Sequence, residues 1–372
     1  MFRPPRTLVL GGRFFSERGG ALAQGNGEAW TVKRCLDWTR GYLERKGDDK
    51  ARLAAEWLLG AATGLSRIEL YMDYDRPLSL GELDRMHKAV VRRAKGEPLQ
   101  YIVGRTAFRF IEVDCEPGVL IPRPETELLV DQVLEFLDRE CGTKVVPVSK
   151  TRSVEAIFGA IEGDAPAKAD ASAEKDAEGP EASSDEGDAP EETDEGAQAA
   201  CAPRVVEVGC GTGCIALSIA SERPGVSVVA TDISPAAVAL AVRNRDRLGL
   251  EATVDIREGD LLSPVSVEDG RMFDVLVSNP PYIPTEVMAI LPAEVAGFEP
   301  ELALDGGADG LDVFRRLVSD APRVLRPGGL LACELHETTL DAAADVCRAA
   351  GMGDVRIVDD LAGRPRILRA RV

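Results

Sequence analysis

The chain has little of what most metal and acid–base sites are made from. It holds only two histidines, His87 and His336, and none of its eight cysteines forms a repeated CxxC pair. That spacing offers no clustered zinc ligands and no disulfide framework, and it fits reduced thiols in a cytoplasm. No apolar run reaches the roughly 18 residues that a membrane-spanning helix needs. Positive charge is also short, with 44 Lys and Arg against 63 Asp and Glu and a net charge of -19. Proteins that grip a phosphate backbone carry a basic face, so DNA or RNA is disfavoured as the main substrate.

Much of the acidity is local. From Glu162 to Glu195 there are 14 acidic and 2 basic residues, a balance of -12, which leaves -7 for the rest. Residues 163–200 are almost entirely Ala, Glu, Asp, Gly, Ser and Pro, with no aromatic. Such a composition buries too little apolar area to offset the entropy of ordering, so a disordered, solvated insertion is expected at about 142–202. An acidic interaction segment is the functional alternative. Residues 1–28 carry Arg3, Arg6, Arg13 and Arg18, but their apolar stretch Thr7 to Leu10 is too short for a signal peptide. A disordered tail, a misplaced start codon and an organellar presequence all fit that composition.

With 372 residues the chain can hold one large domain and a small one. Three-to-four apolar spacing predicts helices over Trp30 to Arg45, Lys50 to Gly64 and Ser79 to Lys95, making a small helical domain at 29–95. The segment 96–120 alternates β-branched and aromatic residues between prolines and predicts a hairpin linker. A helix over Glu125 to Arg139 opens the larger domain, 121–372. From Arg204 onward strands and helices alternate. Strands are predicted at Arg204 to Val208, Val226 to Thr231, Phe273 to Ser278, Leu330 to Glu334, Val355 to Val358 and Arg366 to Val372. Helices are predicted at Gly213 to Glu222, Ser234 to Leu248 and Leu311 to Leu325. This alternation implies an α/β doubly wound parallel sheet, with a ligand beyond the strands' carboxyl ends at the switch point.

Two motifs occupy that edge. In VEVGCGTG, Gly209, Gly211 and Gly213 let the backbone turn and approach a ligand closely. Glu207 at the strand end would repel a pyrophosphate but favour a cationic sulfonium amino acid. The spacing is GxGxG, not the GxGxxG of nicotinamide proteins. Asp232 ends the next strand, where a carboxylate can accept both hydroxyls of a ribose, and Asp260 is placed to accept from an adenine amino group. Together these point to S-adenosylmethionine. The second motif, VSNPPYIP, ends the strand expected beside the first. Asn279 and the Pro280 carbonyl can hold both hydrogens of a planar –NH₂, Pro280 and Pro281 stiffen the loop, and Tyr282 can stack on a flat group. Reactions of this kind gain from alignment more than from a general base.

NPPY after a VGxGxG loop resembles methyltransferases that act on amino groups of planar systems: adenine, guanine or glutamine amide. GEPLQYIVG (Gly96 to Gly104), IPRPETELLV (Ile121 to Val130) and EPELALDGGADGLDVFRRL (Glu299 to Leu317) further resemble the HemK (PrmC) release factor glutamine methyltransferases. The resemblance runs from about Val32 to the end, apart from the acidic insertion. It implies a Rossmann-like seven-stranded methyltransferase sheet and N5-methylation of the glutamine in the Gly-Gly-Gln motif of peptide chain release factors. It carries cofactor contacts onto Gly209, Gly211, Gly213, Asp232, Asp260 and Asn279, and substrate contacts onto Asn279, Pro280, Pro281 and Tyr282. Leu261 stands where some members place an aromatic against the adenine. Arg123, Glu125, Thr126 and Glu127 correspond to a cofactor lid, and Phe108 to positions near the adenine. A soluble cytoplasmic monomer is expected, with no membrane or direct nucleic-acid partner. A ribosomal-protein glutamine methyltransferase, a DNA or RNA amino-methyltransferase and a catalytically silent cofactor-binding module are the competing readings.

Overall fold

Capping chemistry sets the helical start of the chain. In the computed structural model, which describes residues 29–143, 202–265 and 272–372, helix α1 (Val32–Arg45) is capped by Thr31, whose hydroxyl accepts from the Arg34 amide. Helix α2 (Ala51–Thr63) stops at Gly64 in the left-handed region, the usual helix C-terminal role of glycine. Helices α3 (Arg67–Met72) and α4 (Leu80–Arg93) each open with a capping box, Ser66 with Glu69 and Ser79 with Glu82. Each box satisfies two otherwise unpaired amides. Leu43, Leu58, Leu59 and Leu70 are fully buried where these helices meet. A short α5 (Leu99–Val103) leads into the hairpin of β1 (Arg105–Phe108) and β2 (Ile111–Asp114). Neither α3 nor α5 was expected; at five or six residues they are too short to show a helical period. The predicted N-terminal tail and nearly all of the predicted acidic insertion lie outside the described residues.

Helix α6 (Thr126–Glu140) precedes the main sheet, which is built from β3 (Arg204–Val208), β4 (Ser227–Asp232), β5 (Val254–Glu258), β6 (Phe273–Ser278), β7 (Leu325–Glu334), β8 (Gly353–Asp359) and β9 (Pro365–Arg371). Between them lie α7 (Cys214–Glu222), α8 (Pro235–Leu248), α9 (Ala293–Ala296), α10 (Asp312–Val324) and α11 (Leu340–Ala349). The strand order is β5-β4-β3-β6-β7-β9-β8. From β3 the chain winds one way through β4 and β5, then crosses back so that β6 pairs on β3's other side. That reversal is the switch point. The sheet is parallel from β5 to β7, as the alternation of strands and helices implies, and the last strand pair departs from it: β9 runs antiparallel to both β7 and β8. β8 and β9 are joined by residues 360–364 alone, and so short a connection makes only a hairpin. Strand β7 also begins at Leu325, five residues before the predicted start.

Both faces of the sheet are covered. One core joins Phe136 of α6, Leu217 of α7 and Ala241 of α8 to the sheet. The other joins Phe314 and Leu317 of α10 and Leu340 and Cys347 of α11. Strands sealed on both sides read as continuous β-branched runs, which is why Arg204–Val208 and Phe273–Ser278 were legible.

Candidate active site

At the carboxyl ends of β3, β4 and β6 a cavity of about 230 Å³ is lined by Glu207, Gly209, Gly211, Asp232, Asp260, Leu261 and Asn279, with Val119, Arg123 and Thr126 on the side facing α6. The glycine turn closes through a 2.7 Å bond from the Gly213 amide to the Cys210 carbonyl. Gly209, Gly211 and Gly213 all have positive φ. Gly213 itself does not line the cavity. A Cβ there would stand 3.1 Å from Leu217 Cδ1 and 3.3 Å from Ala241 Cβ. This glycine therefore lets α7 pack against α8 and acts on the cavity only by shaping the turn.

The two carboxylates at the strand ends have different surroundings. Glu207 is fully buried; its Oε2 accepts from the Ala216 amide at 2.9 Å, and its Oε1 has no partner among the described residues. Burial pushes the Glu207 carboxyl well up from its ordinary value, with nearby Asp232 adding to the effect. Asp232 accepts from the Gly211 amide at 2.8 Å and the Ser234 amide at 2.9 Å. An ionised carboxylate has about four lone-pair positions, so these bonds do not exhaust its capacity to accept from a ligand. Burial raises the Asp232 carboxyl too, and the backbone donors oppose that shift. Asp260 is half exposed and its Oδ2 pairs with Arg316 of α10 at 2.6 Å. Leu261 is held with φ +49°, its carbonyl accepting from the Thr231 hydroxyl at 2.8 Å.

A second cavity, about 170 Å³, is lined by Tyr282, Ile283, Leu291, Val295 and Leu304 and shares Leu120, Arg123, Asn279 and Ala303 with the first. Asn279 thus stands where the two spaces meet. Beneath it, Ser278 Oγ donates to the Val208 carbonyl at 2.7 Å and locks the ends of β6 and β3 together. Asn279 Nδ2 donates to Thr126 Oγ1 at 3.1 Å, Thr126 Oγ1 donates to Glu334 Oε2 at 2.6 Å, and the Tyr282 hydroxyl donates to Glu334 Oε1 at 3.3 Å. The roof over both cavities is fastened by Arg123, which gives two bonds to buried Glu299 at 2.7 and 2.5 Å. From behind, the loop DGGADG supports NPPY. The Ile283 amide donates to the Leu304 carbonyl at 2.9 Å, and the Gly306 amide to the Ile283 carbonyl at 2.8 Å.

Several expectations need correcting. Phe108 is 1% exposed and packs inside the core under α6 and α7. It does not line the cavity; Val119, packed on Ala237 and Leu240 of α8, is the apolar wall there. The strand pair pairs Phe108 with Ile111 and turns both inward. Of the four lid residues, Arg123 and Thr126 line the cavity, whereas Glu125 and Glu127 do not; Glu127 instead accepts from the Arg109 amide at 3.1 Å. Pro280 and Pro281 line the first cavity, and Tyr282 only the second. His336 reaches neither; its Nδ1 lies 2.9 Å from Thr338 Oγ1. Sequence reasoning missed Glu334, Glu299 and Arg316. The one local signal was a glutamate closing the buried run LLAC in β7, where a charge needs a partner.

Comparison with known proteins agrees with the geometry. Residues 34–104 match the model of the PrmC N-terminal domain, and residues 195–290 that of the methyltransferase small domain. A release factor glutamine methyltransferase of Geobacter sulfurreducens is 36% identical over 93% of this chain and 98% of its own length. One from Moorella thermoacetica is 36% identical over 91% of this chain and 98% of its own. A solved protein-(glutamine-N5) methyltransferase (release factor-specific) from Alicyclobacillus acidocaldarius matches with 26% identity and a TM-score of 0.33, over 67% of this chain and 93% of that one. Both sequence relatives are matched over nearly their full length at 36% identity, and the chain belongs to the release factor glutamine methyltransferase family.

Proposed function

We propose that this protein methylates the side-chain amide nitrogen of the glutamine in the Gly-Gly-Gln motif of peptide chain release factors. S-adenosylmethionine, which supplies an electrophilic methyl carbon, would occupy the larger cavity, and the glutamine side chain the smaller one. The observation that carries this reading is the place of Asn279, where the two cavities meet, with its nitrogen already committed to Thr126. Its oxygen is thereby free to accept from an incoming amide.

The donor set suits the cofactor. The unpartnered Oε1 of Glu207 is a buried acceptor waiting for a cationic or N–H group, and Asp232 keeps accepting capacity for a ribose hydroxyl. Leu261 and Val119 offer an apolar slot, and Asp260, steadied by Arg316, an acceptor at its edge.

An amide nitrogen is a weak nucleophile because its lone pair is delocalised into the carbonyl. The Asn279 oxygen and the Pro280 carbonyl can take both hydrogens and turn the nitrogen's remaining density toward the other cavity. Fixed acceptors of this kind stabilise charge that develops on nitrogen without reorganising during reaction. Tyr282 covers the smaller cavity and excludes water. No residue needs to remove a proton before transfer.

Mass spectrometry of recombinant release factor, incubated with the full chain and cofactor, should show one added methyl group on the Gly-Gly-Gln glutamine. Methyl transfer to another residue, or to nucleic acid alone, would overturn the assignment. Asn279→Ala should lower kcat by about 10²–10³ while leaving S-adenosylhomocysteine affinity nearly unchanged.

A further inference from the structure

We propose that Thr126 and Glu334 are positioning residues: one buried carboxylate, acting through a threonine hydroxyl, fixes which way the Asn279 carboxamide faces and holds the Tyr282 ring beside it. The inference deepens the reading above and rests on it for the identity of the substrate.

The number of protons on each group fixes the direction of every bond in this relay. A threonine hydroxyl has one proton to give and can accept through its oxygen. Thr126 gives its proton to Glu334 Oε2 at 2.6 Å, so toward Asn279 it can only accept. The Asn279 –NH₂ therefore turns to Thr126, at 3.1 Å, and the carbonyl oxygen turns toward the junction of the two cavities. The flipped carboxamide would set oxygen against oxygen at Thr126 and offer an –NH₂ to a substrate that is itself an –NH₂. Glu334 Oε1 meanwhile accepts from the Tyr282 hydroxyl. The three residues come from the start of α6, the end of β6 and the end of β7, so the relay also ties the lid helix to the reacting edge.

Glu334 is 1% exposed. Facing it are Thr126 from α6 and Glu125 at that helix's N-cap, Tyr282 from the loop after β6 and Arg366 from β9, while His336 lies two residues on with its ring 6.4 Å from Tyr282. Burial raises the Glu334 carboxyl above its usual range; Thr126, Arg366 and Tyr282 pull it back, and Glu125 adds to the rise. Once protonated, Glu334 can donate to Thr126, which frees the threonine proton for the Asn279 oxygen and permits the flip. Turnover should accordingly fall as pH drops through a carboxylate titration, with its midpoint above the ordinary glutamate value.

The test uses the full chain, a release factor substrate and three variants. Thr126→Val should lower kcat on the order of 10²-fold, the cost of a misplaced reacting group, with a much smaller change in S-adenosylhomocysteine affinity and a Tm lowered by the carboxylate oxygen left unpaired. Thr126→Ser should restore most of kcat. Glu334→Gln should lose the acid limb of the kcat profile. Independently of turnover, the Asn279 side-chain amide resonances should titrate with pH in the wild type and stay flat in Glu334→Gln. Thr126→Val at wild-type kcat, a well-folded Thr126→Ser without rescue, or amide resonances that do not titrate in the wild type would each overturn the proposal. Should Thr126→Val not fold, the amide titration decides. A wild type that methylates no glutamine yet shows the titrating amide would refute the substrate reading and leave the relay standing.

Discussion

Glu207 is where a single side chain carries opposing demands. Its carboxylate is sealed from water with one oxygen unpartnered, a costly arrangement unless a ligand completes it. Removing the charge should therefore help the empty protein and harm the loaded one. Glu207→Gln should raise Tm at neutral pH by roughly 2–4 °C, the shift that about 1 kcal/mol gives in a domain of 150–250 residues, and should weaken S-adenosylhomocysteine binding. The sign follows from linkage. Burial raises the folded-state value, so the wild type's relative stability is full below the unfolded carboxylate value and is lost as pH rises through the folded one. The variant's advantage should vanish in acid, which calorimetry across pH can check. Residues such as Gly211, Asp232 and Asn279 were legible because each sits in a contiguous motif at a strand end. Glu334 was not, because its partners Thr126 and Tyr282 lie 208 and 52 positions away in the chain.

At the scale of the element, the NPPY loop is rigid from two sides. Its prolines restrict it from within, and the glycines of DGGADG press on it backbone to backbone. A Cβ on Gly306 would fall 2.8 Å from the Pro281 carbonyl oxygen, and one on Gly310 would fall 2.4 Å from that of Tyr282. Gly310 also has φ +77°. Gly310→Ala should thus cost about 1–3 kcal/mol of stability and displace Tyr282. We expect kcat to fall at least tenfold, with cofactor affinity little changed because Tyr282 does not line the larger cavity. Equal losses of turnover and of S-adenosylhomocysteine binding would argue against that division. The sequence revealed this loop only as a likeness to a family stretch; its mechanical purpose depends on a parallel bridge, Ile283 to Asp305, that no local pattern announces. Most long elements were read well because period and burial coincide in them, although the ten-residue α11 was not expected. The short ones, α3 and α5, were hidden inside connections.

Seen whole, the molecule separates its chemistry from its bulk. The helical region contacts the loop that borders the smaller cavity through Arg93, which pairs with Asp48 at 2.7 Å and with Glu294 at 2.8 Å. A docking event on the N-terminal helices can therefore be felt at the rim of the smaller cavity, where the proposed glutamine would enter. Truncating residues 1–95 should reduce methylation of an intact release factor far more than that of a short Gly-Gly-Gln peptide; equal losses would speak against remote binding that orients the amide. The acidic stretch has a different address. It joins the end of α6 to Arg204, the first residue of β3, whereas every cavity residue on β3 sits at the strand's other end. Replacing 150–198 by a short flexible linker should leave kcat within about twofold, since loop length costs little in closure entropy. The described ends of the connection, Glu140 paired with Arg371 and Arg204 bonded to Asp274, are both fixed at the end of the sheet away from the two cavities, which makes it a natural splice point for a fluorophore or affinity handle.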